Sequence, residues 1–169
     1  MRRILFSLAA TIALPLALVA QGKPDFSGSW KLNADKSDPA PQTGGGGGGQ
    51  RPGGGGMGRA TELTITQTAT KITIDQKMGD RSRTVSYNLD GSESKNPGMR
   101  DNEMVTKSHW DGTTLVTEGD NTVKSPMGEM NIKSKELRTL SADGKEMTVV
   151  STVISPRGEN TRKTVYDKQ

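Results

Sequence analysis

The sequence predicts an all-β domain: an antiparallel meander of about eight to nine strands that closes into a barrel, with a flexible Gly/Pro-rich loop after the first strand. Three observations predict it. Short segments of alternating polar and apolar residues, rich in Thr, Ile and Val, follow one another from residue 62 onward. Turn dipeptides (Asp90-Gly91, Asp111-Gly112, Asp143-Gly144) separate them. No segment beyond residue 20 carries a helical stripe of apolar residues. Closing such a meander removes exposed strand edges, which favours a barrel over an open sheet.

The first 20 residues stand outside this domain. Arg2 and Arg3 precede an apolar run from Ile4 to Ala20 that holds one proline, Pro15, and small residues follow. This is the pattern of a secretory signal peptide, with cleavage expected near Ala20 or Gly22. At 17 residues this run only just reaches the length needed to span a bilayer, and no stable membrane insertion is expected after cleavage. Residues 21–169 then form one domain, exported to the periplasm or secreted.

The strands follow in order. Phe26 to Asn33 is the first, and residues 38–60 interrupt the domain with a run of glycines broken by Pro52. Glycine has the most backbone entropy to lose and nothing to bury, so a disordered loop is expected there. Leu63 and Ile65 share one face of the segment Glu62 to Gln67, and Ile72 and Ile74 share one face of Lys71 to Gln76. Arg83 to Asn88 is a further strand, with Val85 and Tyr87 on one face. Leu89 to Ser92 turns the chain, and Lys95-Asn96-Pro97-Gly98 is expected to lengthen that loop. Strands over Glu103 to Trp110, Thr113 to Gly119, Glu129 to Leu140, Lys145 to Ile154 and Asn160 to Tyr166 complete the meander.

Composition excludes several functions. Loss of Arg2 and Arg3 with the leader, and of no acid, lowers the formal net charge from +4 to +2. The remaining Lys and Arg are interspersed with Asp and Glu, so the clustered basic footprint of a nucleic-acid-binding protein is absent. Without cysteine there is no disulfide, no thiol nucleophile and no lipidated N-terminal cysteine. His109 is the single histidine, which rules out a typical zinc site; no metal and no cofactor is expected. Ser108 adjoins His109, but neighbouring strand residues point to opposite faces, so the two cannot form a nucleophile and base pair. The glycine run lacks the Gly-Lys-Ser/Thr ending of a phosphate-binding loop. No pair of acids is marked out for glycoside chemistry. The chain is not expected to be an enzyme.

The two ends of the domain carry a resemblance. Phe26-Ser27-Gly28-Ser29-Trp30-Lys31-Leu32 is similar to the first strand of the lipocalin and fatty-acid-binding-protein group. In that group the glycine permits close packing and the tryptophan plugs one barrel end, which gives Gly28 and Trp30 structural roles. The last strand, Thr161-Arg162-Lys163-Thr164-Val165-Tyr166, resembles the fatty-acid-binding last strand, where an Arg-x-Tyr grips a ligand carboxylate. Here Thr164 stands two before Tyr166 and the arginine is Arg162, one same-face step earlier. The helical lid of fatty-acid-binding proteins is replaced by the Gly/Pro loop. The opening, followed by Lys36-Ser37-Asp38, is also similar to small exported proteins of unassigned role from Gram-negative bacteria.

The resemblance implies that Arg162, Thr164, Tyr166 and Tyr87 face a ligand site. The expected function is to hold a small, partly apolar or amphipathic ligand inside the barrel. The alternative is an envelope or surface protein-interaction module whose barrel is packed and holds no ligand. An open, ligand-sized interior distinguishes the two.

Overall fold

The computed structural model describes residues 22–39, 59–98, 102–125, 128–156 and 158–169. Residues 1–20, where a signal peptide is expected, and most of the expected 38–60 loop lie outside the described residues. Among the described residues ten antiparallel strands form one sheet: β1 (Gly28–Asn33), β2 (Glu62–Gln67), β3 (Lys71–Met78), β4 (Arg81–Asn88), β5 (Glu93–Pro97), β6 (Glu103–Asp111), β7 (Thr114–Ser125), β8 (Gly128–Leu140), β9 (Glu146–Ser155) and β10 (Gly158–Lys168). The spatial order is β4-β3-β2-β1-β10-β9-β8-β7-β6-β5. It is a meander whose first and last strands pair, Trp30 opposite Lys168 and Leu32 opposite Tyr166. The predicted barrel is present, and the described residues include no helix.

The tenth strand is β5, and here the sequence reading is corrected. Glu93–Pro97 reads as loop because it carries Asn96 and Pro97 and no large apolar residue. It nonetheless pairs with β6, Ser94 opposite Thr106 and Asn96 opposite Met104. Proline is tolerated because β5 is an edge strand and needs no full ladder on its outer side.

Strands β4 and β5 are the two edges of the sheet, and side chains rather than a backbone ladder join them. The Asn96 amide accepts from the Ser86 N–H at 2.7 Å and donates to the Ser86 carbonyl at 2.9 Å. The Ser94 hydroxyl accepts from the Asn88 N–H at 2.8 Å, and the Asn88 side chain donates to the Glu93 carbonyl at 2.9 Å. Arg83 also donates to the Pro97 carbonyl. Edge amides that would otherwise lie open are satisfied in this way.

Alternation fills the interior with two kinds of side chain. Trp30, Ile65, Ile72, Ile74, Val85, Leu115 and Met147 form the apolar part, each almost wholly buried. Trp30 donates its indole N–H to the Phe26 carbonyl at 2.8 Å, and Phe26 stacks on Trp110 with ring centroids 5.9 Å apart. Gly28 adopts φ of 129°, a conformation other residues avoid, and a Cβ there would meet the Lys168 side chain at 3.0 Å. The other part of the interior is polar: Ser94, Asn96, Thr106, Ser108, Thr117, Arg138 and Thr164 are all buried.

Candidate functional site

Three cross-strand rows build the site. Ladder pairing aligns Glu136 of β8 with Ser151 of β9, and Ser151 with Arg162 of β10. The next row on the same face is Arg138, Val149 and Thr164, and the third is Leu140, Met147 and Tyr166. The rows are two residues apart, so all of these side chains point inward. Across the interior stand β2, β3 and β4, where Arg83 lies opposite Gln76. Arg59 and Ala60 lead into β2.

These residues enclose a cavity of about 300 Å³, lined by Leu63, Met78 and Val149 on its apolar side and by arginines on its polar side. Four guanidinium groups, Arg59, Arg83, Arg138 and Arg162, face one carboxylate, Glu136. Arg138 is the most enclosed, its side chain only 4% exposed. Its Nη2 pairs with the Glu136 Oε1 at 2.5 Å, and the other Glu136 oxygen accepts from the Ser151 hydroxyl at 3.5 Å. The Nε and Nη1 of Arg138 are buried and have no hydrogen-bond partner, as is the Nε of both Arg59 and Arg83. A buried guanidinium with idle donors is costly to the folded chain, and an incoming anion relieves that cost.

Both tyrosines belong to this environment. Burial pushes the Tyr166 hydroxyl up to about 12; the Glu136 carboxylate adds to this, while Arg138 and Arg59 oppose it. Tyr87 is also pushed up to about 12, first by burial and then by Glu136, against Arg138 and Arg83. The Tyr166 hydroxyl donates to the Ala60 carbonyl at 3.3 Å. Both groups are therefore neutral donors at physiological pH.

Of the residues singled out from sequence, Arg162, Thr164 and Tyr166 line the cavity. Tyr87 is buried on β4, within electrostatic reach of Arg138 and Arg83. Gly28 and Trp30 stand apart from the cavity, in the packed interior and at its rim. Sequence reasoning missed Arg138, Arg83, Arg59 and Glu136. For Arg138 a signal existed: the turn at Ser141 to Gly144 pairs Leu140 with Met147. That register sends every even-numbered residue of β8 inward, Glu136 and Arg138 included.

A larger open depression, about 590 Å³, is lined mostly by outward-facing residues of β5 to β9. Its charges are already matched across strands, Lys135 with Glu118 at 2.9 Å and Lys107 with Glu93 at 3.6 Å. It is mainly a solvated sheet face, and no charged group buried among its lining residues is left without a partner. His109 is exposed on the outer face, while the neighbouring Ser108 points inward and is fully buried.

No protein-family model matches the chain, and no curated protein matches it in sequence. Solved structures do match in fold. A fatty acid transporter, REP1-NXSQ, aligns at a TM-score of 0.52 and 12% identity, over 85% of this chain and 96% of that one. A mutant of the fluorescent protein UnaG aligns at 0.52 and 16% identity, over 85% and 96%. A secretary abundant heat soluble (SAHS) protein from Ramazzottius varieornatus aligns at 0.54 and 19% identity, over 89% and 98%. The chain thus has the fold of the fatty-acid-binding and lipocalin-like barrels.

Proposed function

We propose that this protein is an exported carrier that holds a small, partly apolar ligand with a negatively charged group inside its barrel. The observation that carries the reading is Arg138: a guanidinium 4% exposed, with Nε and Nη1 unpartnered, at a cavity of about 300 Å³. Charge-assisted bonds from such a group are strong, and arginine's planar fork suits a carboxylate or phosphate. Tyr166, Thr164 and Arg162 add hydroxyl and guanidinium donors, while Leu63, Met78 and Val149 receive the apolar part. That one fold neighbour is titled a fatty acid transporter agrees with this ligand class. The leader at residues 1–20 supports export, and the function is retention rather than catalysis.

The test is native mass spectrometry of the protein isolated from the cells that make it, compared with its denatured mass. The carrier reading expects a reproducible extra mass that leaves on unfolding and is missing from Arg138→Met. A bare mass, with no uptake from a panel of short amphiphilic anions, would instead support an envelope interaction module with an unoccupied barrel.

A further inference from the structure

We propose that the anchoring group of the ligand is doubly charged, such as a phosphate monoester or a paired dicarboxylate, rather than a single carboxylate. This rests on the carrier reading above and specifies its ligand. Charge and donor count inside the cavity both favour a dianion. Four guanidinium groups face a single carboxylate there, a formal excess of three positive charges. Of these four arginines Arg138 is the one paired with the carboxylate, and only through one of its three nitrogens.

The unused donors are spread over three arginines. Arg138 keeps Nε and Nη1 free, and Arg59 and Arg83 each keep a buried Nε. Their remaining recorded side-chain bonds go to backbone carbonyls, of Asp38 for Arg59 and of Pro97 for Arg83, which leave their charge unneutralised. Arg138 shares a buried tyrosine with each of the other two. It and Arg83 both act on the Tyr87 hydroxyl, and it and Arg59 both act on that of Tyr166. A monoanion bonded to Arg138 would leave two of the three excess positive charges uncompensated around a buried guanidinium. A dianion with three or more acceptor oxygens engages Arg138 and a second arginine together.

Size bounds the rest of the ligand. About 300 Å³ is the volume of on the order of ten waters, at the lower end of small-molecule pockets. A charged group with a short chain fits that space, and a long acyl chain does not.

The experiment is isothermal titration calorimetry of the whole chain at about pH 8, where a phosphate monoester is doubly ionised. The ligands share one short tail: octyl phosphate and octylmalonate as dianions, octyl sulfate and octanoate as monoanions, and octanol as the neutral form. We expect at least one dianion to bind about tenfold or more tighter than either monoanion, the better of the two identifying the group. Arg83→Met should bring that ratio to within about twofold, and the wild-type series decides even if the variant fails to fold. Monoanions binding as tightly as dianions would overturn the double charge and leave the carrier reading standing. Octanol binding as well as the anions, or none of the five binding, would overturn both.

Discussion

The Asn96 side chain makes, with the backbone of Ser86, the two hydrogen bonds that a neighbouring strand would otherwise make. Its oxygen accepts from the Ser86 N–H at 2.7 Å and its nitrogen donates to the Ser86 carbonyl at 2.9 Å. Because Asn96 is 3% exposed, water cannot readily take over either bond. Asn96→Ala should therefore destabilise the protein by about 1–3 kcal/mol. Urea unfolding reads the loss, and hydrogen exchange should quicken at Ser86 before it quickens in β7 or β8. Unchanged exchange at Ser86 would mean that the seam is held by other contacts.

Arg138 separates a binding role from a structural one. Its pair with Glu136 uses one nitrogen and leaves two buried donors idle. Replacing both members of such a pair with apolar side chains is often neutral or stabilising, whereas removing one strands the charge of the other. Arg138→Met combined with Glu136→Leu is thus expected to leave the urea midpoint of the ligand-free protein unchanged, or to raise stability by about 1 kcal/mol, while abolishing uptake. A loss beyond about 2 kcal/mol would make Arg138 a member of the structural core instead.

The buried tyrosines set an alkaline limit. Tyr87 and Tyr166 are both raised to about 12 in the folded protein, above the ordinary value of 10. The folded state then holds these protons more firmly than the unfolded chain does. Their contribution is complete below about pH 10 and is lost as pH rises through about 12. Each is worth on the order of 2 kcal/mol across that window. Thermal melts by circular dichroism between pH 9 and 12 should fall steeply for the wild type and less steeply for Tyr87→Phe. Equal slopes for the two would show that Tyr87 ionises as freely folded as unfolded.

Gly28 is constrained by its backbone more than by its surroundings. The atom nearest an added Cβ is the Lys168 Cε at 3.0 Å, part of a flexible side chain able to move aside. The φ of 129° has no such remedy. Gly28→Ala should cost about 1–3 kcal/mol, and truncating Lys168 in the same protein should recover little of it. Full recovery in Gly28→Ala/Lys168→Ala would make the requirement steric.

Most of the architecture was legible because nine strands advertise themselves by alternation or by turn dipeptides. Leu63, Ile65, Ile72 and Ile74 alternate with polar residues and all point inward. The strand that escaped, β5, has inward residues Ser94 and Asn96 that serve the seam rather than the apolar core, so it shows no apolar period. The site was half legible. Arg162, Thr164 and Tyr166 are reached through the likeness of the last strand to that of fatty-acid-binding proteins. Arg138 and Glu136 flank Leu137, whose outward position reverses the usual pattern, and only the register of the Ser141 turn reveals it. Arg59 and Arg83 reach the cavity through the closure of the barrel, which no local pattern encodes.

Arg138 is the proposed anchor for a ligand anion inside the barrel. The most direct test follows the arginine Nε–H resonances by ¹H–¹⁵N NMR as octyl phosphate is added, with Arg138 assigned through the peak lost in Arg138→Met. The account predicts that the Arg138 Nε–H, unpartnered in the free protein, moves downfield and becomes protected from exchange as the ligand saturates. If that resonance stays in place while only exposed arginines respond, the anion binds elsewhere and the proposed site is wrong.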